Sequence, residues 1–160
     1  MSNRLFAAYG VGINRAEMAM RCPTAKLLGA STLRNHRLTF RGPHAAAVAN
    51  IEPAKGHSVP MLVWDITSTD EAALDLYEGF PHLYEKHQFR LRLDGKAVDC
   101  MAYVLRGDRS LGKPSAFYYS TVLEGYKAAG FDVDILRTAV SESDELIERE
   151  IYSVLVKIKI

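Results

Sequence analysis

The chain has 160 residues, 48% hydrophobic and 24% charged, which fits one domain over residues 1–160 with a full apolar core. Its 20 basic and 19 acidic residues leave a net charge of +1, a balance that argues against an electrostatic binder of nucleic acid or of membrane surfaces. No apolar run reaches bilayer-spanning length, and the start Met1-Ser2-Asn3-Arg4-Leu5-Phe6 lacks the apolar core of a secretory leader. Cys22 and Cys100 are the only cysteines and read as free thiols of a reducing, cytoplasmic compartment.

In chain order, strand signals lead. Residues 5–9 form a short apolar run that ends at Gly10. Residues 33–40 and 45–51 read as a strand pair linked through Gly42-Pro43, and 59–66 as a central, mostly apolar strand. Helix signals follow over 69–78, where Ser68 with Glu71 three residues later reads as a capping box. Phe89, Leu91 and Leu93 alternate with Gln88, Arg90 and Arg92, and Val98, Cys100, Ala102 and Val104 alternate on the next run. Asp94-Gly95 between those runs is a strong hairpin signal. A second helix starts near Ser115 and stops before Gly130, with Tyr118, Val122 and Tyr126 on one face. A third is expected over 142–151, and the alternation of 154–160 reads as a final strand. The fold class expected is α+β: an antiparallel or mixed sheet, curved or closed, with helices against it.

One residue in this plan is out of place. Glu78 ends an amphipathic helix, immediately before Gly79. The macrodipole is negative at that end, so a carboxylate there is disfavoured. It lies one turn beyond Leu74 and so points toward the apolar face. Desolvation would raise its pKa into the range of a general acid/base. A frayed last turn whose Glu reaches water is the competing reading.

Other patterns are near misses. Gly107 to Lys113 approaches a phosphate-binding loop, but Pro114 stands where a Ser or Thr is needed. Gly10-Val11-Gly12-Ile13-Asn14-Arg15 lacks the third glycine of a dinucleotide fingerprint, although glycines after a strand let backbone amides converge on an anion. Arg34, His36, Arg37, Arg41 and His44 read as a solvated strand face rather than a nucleic-acid site. The five histidines, His36, His44, His57, His82 and His87, show no paired ligand spacing, so no metal is expected.

Taken together, several short pieces resemble one family along nearly the whole chain. They are Phe6-Ala7-Ala8-Tyr9-Gly10, Met18 with Arg21-Cys22-Pro23, Leu38-Thr39-Phe40, Val63-Trp64-Asp65, Leu74-Asp75-x-x-Glu78-Gly79, Pro81-x-x-Tyr84, and Pro114-Ser115-x-x-Tyr118 with Gly125-Tyr126. Their order and spacing are similar to those of the gamma-glutamylcyclotransferase, or AIG2-like, family. The resemblance implies a small mixed or antiparallel β-barrel, closed or nearly closed, with flanking helices. It implies cyclisation of a gamma-glutamyl amine or amino acid to 5-oxoproline with release of the amine, without metal or cofactor. Glu78 matches the family's catalytic glutamate. Tyr9, Gly10, Val11 and Gly12 match the substrate-binding loop, and Tyr84 and Tyr118 match pocket tyrosines. The family loop usually reads Tyr-Gly-Ser-Asn, whereas Val11 and Gly12 stand here. A catalytically silent member that binds a small ligand or a protein is therefore the alternative. Restoring Ser and Asn at positions 11 and 12 is expected to improve substrate binding.

Overall fold

The computed structural model describes residues 3–158. Strand β1, Arg4–Ala8, leads through a 3-10 turn, Val11–Ile13, into helix α1, Arg15–Arg21. Two long strands follow, β2 (Lys26–Arg41) and β3 (Val48–Ile66), then helix α2 (Ser68–Glu78). Strands β4 (Tyr84–Leu93) and β5 (Lys96–Leu105) form a hairpin, and helices α3 (Ala116–Ala129) and α4 (Asp134–Ile158) complete the chain. The sheet order is β2-β3-β1-β5-β4. β1 runs antiparallel to β3 and parallel to β5, so the sheet is mixed.

The hairpin read from Asp94-Gly95 forms as expected, with both residues at positive φ and Leu93 opposite Lys96. The expected pairing of 33–40 with 45–51 also forms, with Leu38 opposite Ile51. It is part of a longer ladder that runs on to Lys26 opposite Asp65. The two runs 45–51 and 59–66 are thus one strand, beginning at Val48, and Ala45 belongs to the turn before it. Pro53 keeps its place opposite His36, but residues 54–57 have no partner on β2 and interrupt the ladder as a bulge within β3. The register shifts there, with only Asn35 on β2 standing against the four extra residues of β3.

The sheet is strongly curved but not closed. Its two edges, β2 and β4, approach without a backbone ladder: the Ser31 hydroxyl donates to the Arg92 carbonyl at 2.6 Å, and the Leu93 side chain stands against Gly29. Of the closed or nearly closed barrel expected, the structure has the form that does not close, a curved five-stranded mixed sheet with flanking helices. Side chains fill the gap where a fifth ladder would have to run.

Helix α2 is capped one residue earlier than the sequence pattern placed it. The Thr67 hydroxyl accepts from the Asp70 amide at 3.2 Å, and the Asp70 carboxylate accepts from the Thr67 amide at 3.0 Å. Glu71 is left to pair with Arg4 and Lys86. The final strand expected over 154–160 does not form. Residues 154–158 continue α4, which starts at Asp134 rather than near Glu142, while Lys159 and Ile160 lie outside the described residues. With no strand edge beside it, this segment satisfies its backbone locally, as a helix does.

The core lies between the concave sheet and α3 with the first half of α4. Phe40, Met61, Val63, Met101, Val122, Tyr126 and Leu136 are fully buried there. The last turns of α4 leave Ile151, Tyr152, Val154, Leu155 and Ile158 exposed. No helix among the described residues is long and apolar enough to cross a membrane.

Candidate active site

The first wall of the site comes from the chain after β1. The strand stops at Ala8, and the 3-10 turn is held by bonds from the Ile13 amide to the Gly10 carbonyl (3.1 Å) and from the Asn14 amide to the Val11 carbonyl (2.9 Å). The amides of Val11 and Gly12 precede this short ladder. The Trp64 indole donates to the Gly12 carbonyl at 3.0 Å, tying the turn to β3. Asn14 caps α1 by accepting from the Glu17 amide, and its side-chain amide donates to the Thr121 carbonyl of α3. Glycine at position 12 is a matter of space rather than of φ: a Cβ there would lie 2.7 Å from the Ala8 Cβ and 3.3 Å from the Phe6 ring. An Asn at this position would have to displace Ala8 or Phe6.

Tyrosines form the second wall. Tyr9 donates its hydroxyl to the Tyr103 carbonyl. Tyr84 donates to the Ala49 carbonyl at 2.7 Å, while Tyr118 accepts from the Ala49 amide at 3.1 Å. Tyr103 donates to the Asp75 carboxylate at 2.6 Å. Three of the four phenol protons are thus committed to the protein, and that of Tyr118 has no acceptor among the described residues. Burial, reinforced by neighbouring carboxylates and phenols, raises the pKa of all four, so they are neutral donors at physiological pH.

Glu78 supplies the third wall. It is the last residue of α2, and Gly79 at φ 67 turns the chain away behind it, with the Phe80 amide bonded to the Asp75 carbonyl at 2.9 Å. The Glu78 carboxylate has no hydrogen-bond partner among the described residues. Burial pushes its pKa up and the Arg21 guanidinium pulls it part of the way back, leaving it at about 7. Arg21 lies 3.6 Å over the Tyr77 ring and pairs with Glu17 at 3.1 Å. A carboxyl with this pKa is half protonated near neutrality, so it can both take and return a proton.

The three walls line a small cleft that is partly open to solvent. Tyr9, Gly10, Val11, Gly12, Glu78, Tyr84 and Tyr118, gathered from four separate parts of the sequence, all line it. Sequence reasoning missed Tyr103 and Ala49, which also line it. For Tyr103 a signal was present: Cys100, Met101, Ala102 and Tyr103 are all buried, the pattern of a strand covered on both faces rather than of a simple alternation.

The near misses have structural roles. The loop over residues 107–114 is zipped to the β2–β3 turn, with the Gly112 amide on the Phe40 carbonyl at 3.1 Å and the Gly42 amide on the Ser110 carbonyl at 3.0 Å. In the basic stretch, Arg37 and Arg41 pair with Glu142 and Glu52.

Comparison with known proteins converges on one group. The profile of the family described as "Gamma-glutamyl cyclotransferase, AIG2-like" matches residues 6–121. A gamma-glutamylcyclotransferase of Bos taurus is 24% identical over 139 residues, which span 81% of this chain and 73% of that protein. A solved gamma-glutamyl cyclotransferase structure has a TM-score of 0.76 at 20% identity, covering 86% of each chain. YkqA from Bacillus subtilis has a TM-score of 0.75 at 13% identity, over 90% of this chain and 55% of its own. At these identities the structural likeness shows a shared fold.

Proposed function

Since the chain belongs to the gamma-glutamyl cyclotransferase, AIG2-like family, we propose that it cyclises a gamma-glutamyl amine or amino acid to 5-oxoproline, with Glu78 as general acid/base. The observation that carries this reading is the unpartnered Glu78 carboxyl, with a pKa near 7, in a cleft shared with the Tyr9–Gly12 turn and Tyr118. The substrate carries its own nucleophile, so neither Ser nor Cys is required. Holding the α-amine against the side-chain carbonyl is a proximity problem, and the small cleft suits it.

Glu78 takes a proton from the α-ammonium, and the freed amine attacks the γ-carbonyl carbon to close a five-membered ring. The carbonyl oxygen gains negative charge in the tetrahedral intermediate. The uncommitted Tyr118 proton and the Val11 and Gly12 amides are the donors suited to meet it. Collapse breaks the bond to the leaving nitrogen. Of three protons on the α-nitrogen, one stays on the lactam and two pass through Glu78 to the amine, which leaves as an ammonium ion. No cofactor enters this scheme. The near-neutral net charge and the buried thiols Cys22 and Cys100 support a small-molecule substrate in a reducing, cytoplasmic setting.

The deciding experiment measures 5-oxoproline release from a panel of gamma-glutamyl amino acids and amines. Release from none of them, with folded protein, sinks the enzymatic reading. One observation favours a second reading, a silent member that binds a small ligand or a partner protein. Val11 is buried and Gly12 is packed against Ala8, so neither side chain of the family's Ser-Asn pair has a counterpart facing substrate. Calorimetric binding of a gamma-glutamyl compound without turnover would favour that reading.

A further inference from the structure

We propose that Asp75 is a positioning residue for Glu78: by accepting from Tyr103 and Lys86 it clamps the last turns of α2 against β4 and β5 and fixes where the unpartnered Glu78 carboxylate stands. The inference rests on the reading of Glu78 as the acid/base of the site. It begins from spacing. Glu71, Asp75 and Glu78 lie at i, i+4 and i+7 of α2 and share one helix face. The first two are neutralised and the third is not. Lys86 reaches the Glu71 carboxylate at 2.6 Å and that of Asp75 at 2.9 Å, and lies 4.2 Å from the centre of the Phe80 ring. Tyr103 donates to Asp75 at 2.6 Å.

Lys86 and Tyr103 are directly opposed across the β4–β5 ladder. The two bonds to Asp75 therefore come from one rigid point of the sheet. The same Tyr103 receives the Tyr9 hydroxyl on its carbonyl, which links the clamp to the other wall of the cleft. The Asp75 carbonyl in turn holds the Phe80 amide of the turn that ends α2. Glu78 makes no hydrogen bond of its own among the described residues, so its position follows the seating of α2, with only the longer-range attraction of Arg21 beside it. The charged and titratable groups that face it are Arg21 from α1, Tyr9 from the segment after β1, Tyr84 from β4, Tyr103 from β5, Tyr118 from α3 and Tyr77 on its own helix. None of these is a hydrogen-bond partner that would take over the clamp's task.

The test combines turnover with a readout that needs no substrate, the titration of the Glu78 carboxyl followed by carbon NMR in the full chain. Asp75→Ala is expected to lower kcat by about 10–100-fold with little change in KM, the effect of a misplaced catalytic group. It is also expected to move the Glu78 midpoint down by about one pH unit, as the turn loosens and water reaches the carboxylate. Tyr103→Phe removes the bond to Asp75 without changing any charge, and a shift in the same direction there separates geometry from electrostatics. An unaltered Glu78 midpoint in Tyr103→Phe overturns the proposal, whatever Asp75→Ala does to melting temperature. If Asp75→Ala does not fold, Asp75→Asn and Tyr103→Phe decide by the same two readouts. If the native protein releases no 5-oxoproline from any gamma-glutamyl compound, the enzymatic reading fails, yet the Glu78 titration still decides whether Asp75 seats it.

Discussion

At the scale of single residues, the site joins a functional asset to a stability cost. The Glu78 carboxyl has an ordinary value of 4.5 and stands at about 7 in the folded chain. A raised folded pKa means that this group's favourable contribution is complete below pH 4.5 and is lost as pH rises through 7, where the buried group must ionise. The linkage amounts to about 3 kcal/mol between those limits. Glu78→Gln cannot ionise, so its stability should not show this decline. Measured by thermal melting, the variant should gain on the native protein between pH 5 and pH 8. Turnover in the same variant should fall by roughly two to four powers of ten, the range for loss of a general acid/base. Near-normal 5-oxoproline release from Glu78→Gln would remove the catalytic assignment. The Val11-Gly12 pair behaves differently from a polar loop. A Cβ at position 12 meets the Ala8 Cβ at 2.7 Å, so Gly12→Asn should destabilise the fold by about 1–3 kcal/mol through overpacking. Val11→Ser adds no bulk but removes buried apolar surface, so it should fold with a modest loss of stability, about 1–2 kcal/mol, and its Michaelis constants then show whether a hydroxyl at this position reaches substrate.

At the scale of elements, the site depends on how two helices, α2 and α3, are started and seated. The capping box of α2 is made by Thr67 and Asp70. Thr67→Ala should cost about 1 kcal/mol, a loss that urea titration resolves. Ser68→Ala should cost much less, because Ser68 lies inside the helix. Helix α3 carries Tyr118 and is seated through Gly125. A Cβ there would come within 2.8 Å of the Ile13 carbonyl carbon and of the Asn14 amide nitrogen. Backbone atoms cannot step aside as a flexible side chain can, so Gly125→Ala should displace α3 from the turn at residues 11–13. The expected result is a loss of about 2–3 kcal/mol together with weaker substrate binding. Full stability in Gly125→Ala would show that the junction is more pliant than its distances imply.

At the scale of the whole molecule, an open curved sheet provides the cleft and two helices provide its cover. The first half of α4 is anchored by buried Leu136, Ala139 and Ser143 and by the Arg37–Glu142 pair. Residues 151–158 bury nothing comparable. Ending the chain after residue 150 should therefore leave the melting temperature within a few degrees of the native value, since surface changes cost little. A collapse of stability on that truncation would assign the last turns a packing role.

By itself the sequence determined the α+β class, the β4–β5 hairpin, the helix that ends at Glu78 and the one that begins at Ser115. Each is encoded locally, in a turn dipeptide, a cap or a periodicity of a few residues. It also marked Glu78, because a carboxylate at the apolar end of a helix conflicts with the macrodipole and the conflict is visible in one window. The tertiary structure decided what depends on partners distant in sequence. Residues 45–51 and 59–66 read as two separate runs, but pairing with β2 on both sides of a bulge at 54–57 makes them one strand. The tail reads as a strand by alternation, but with no strand edge beside it the helix satisfies its backbone locally. The Tyr103 phenol turns to Asp75 and its carbonyl to Tyr9, a role set by neighbours 28 and 94 residues away. Gly12 lacks a side chain because Ala8 and Phe6 occupy its space, a packing constraint that spacing along the chain does not express.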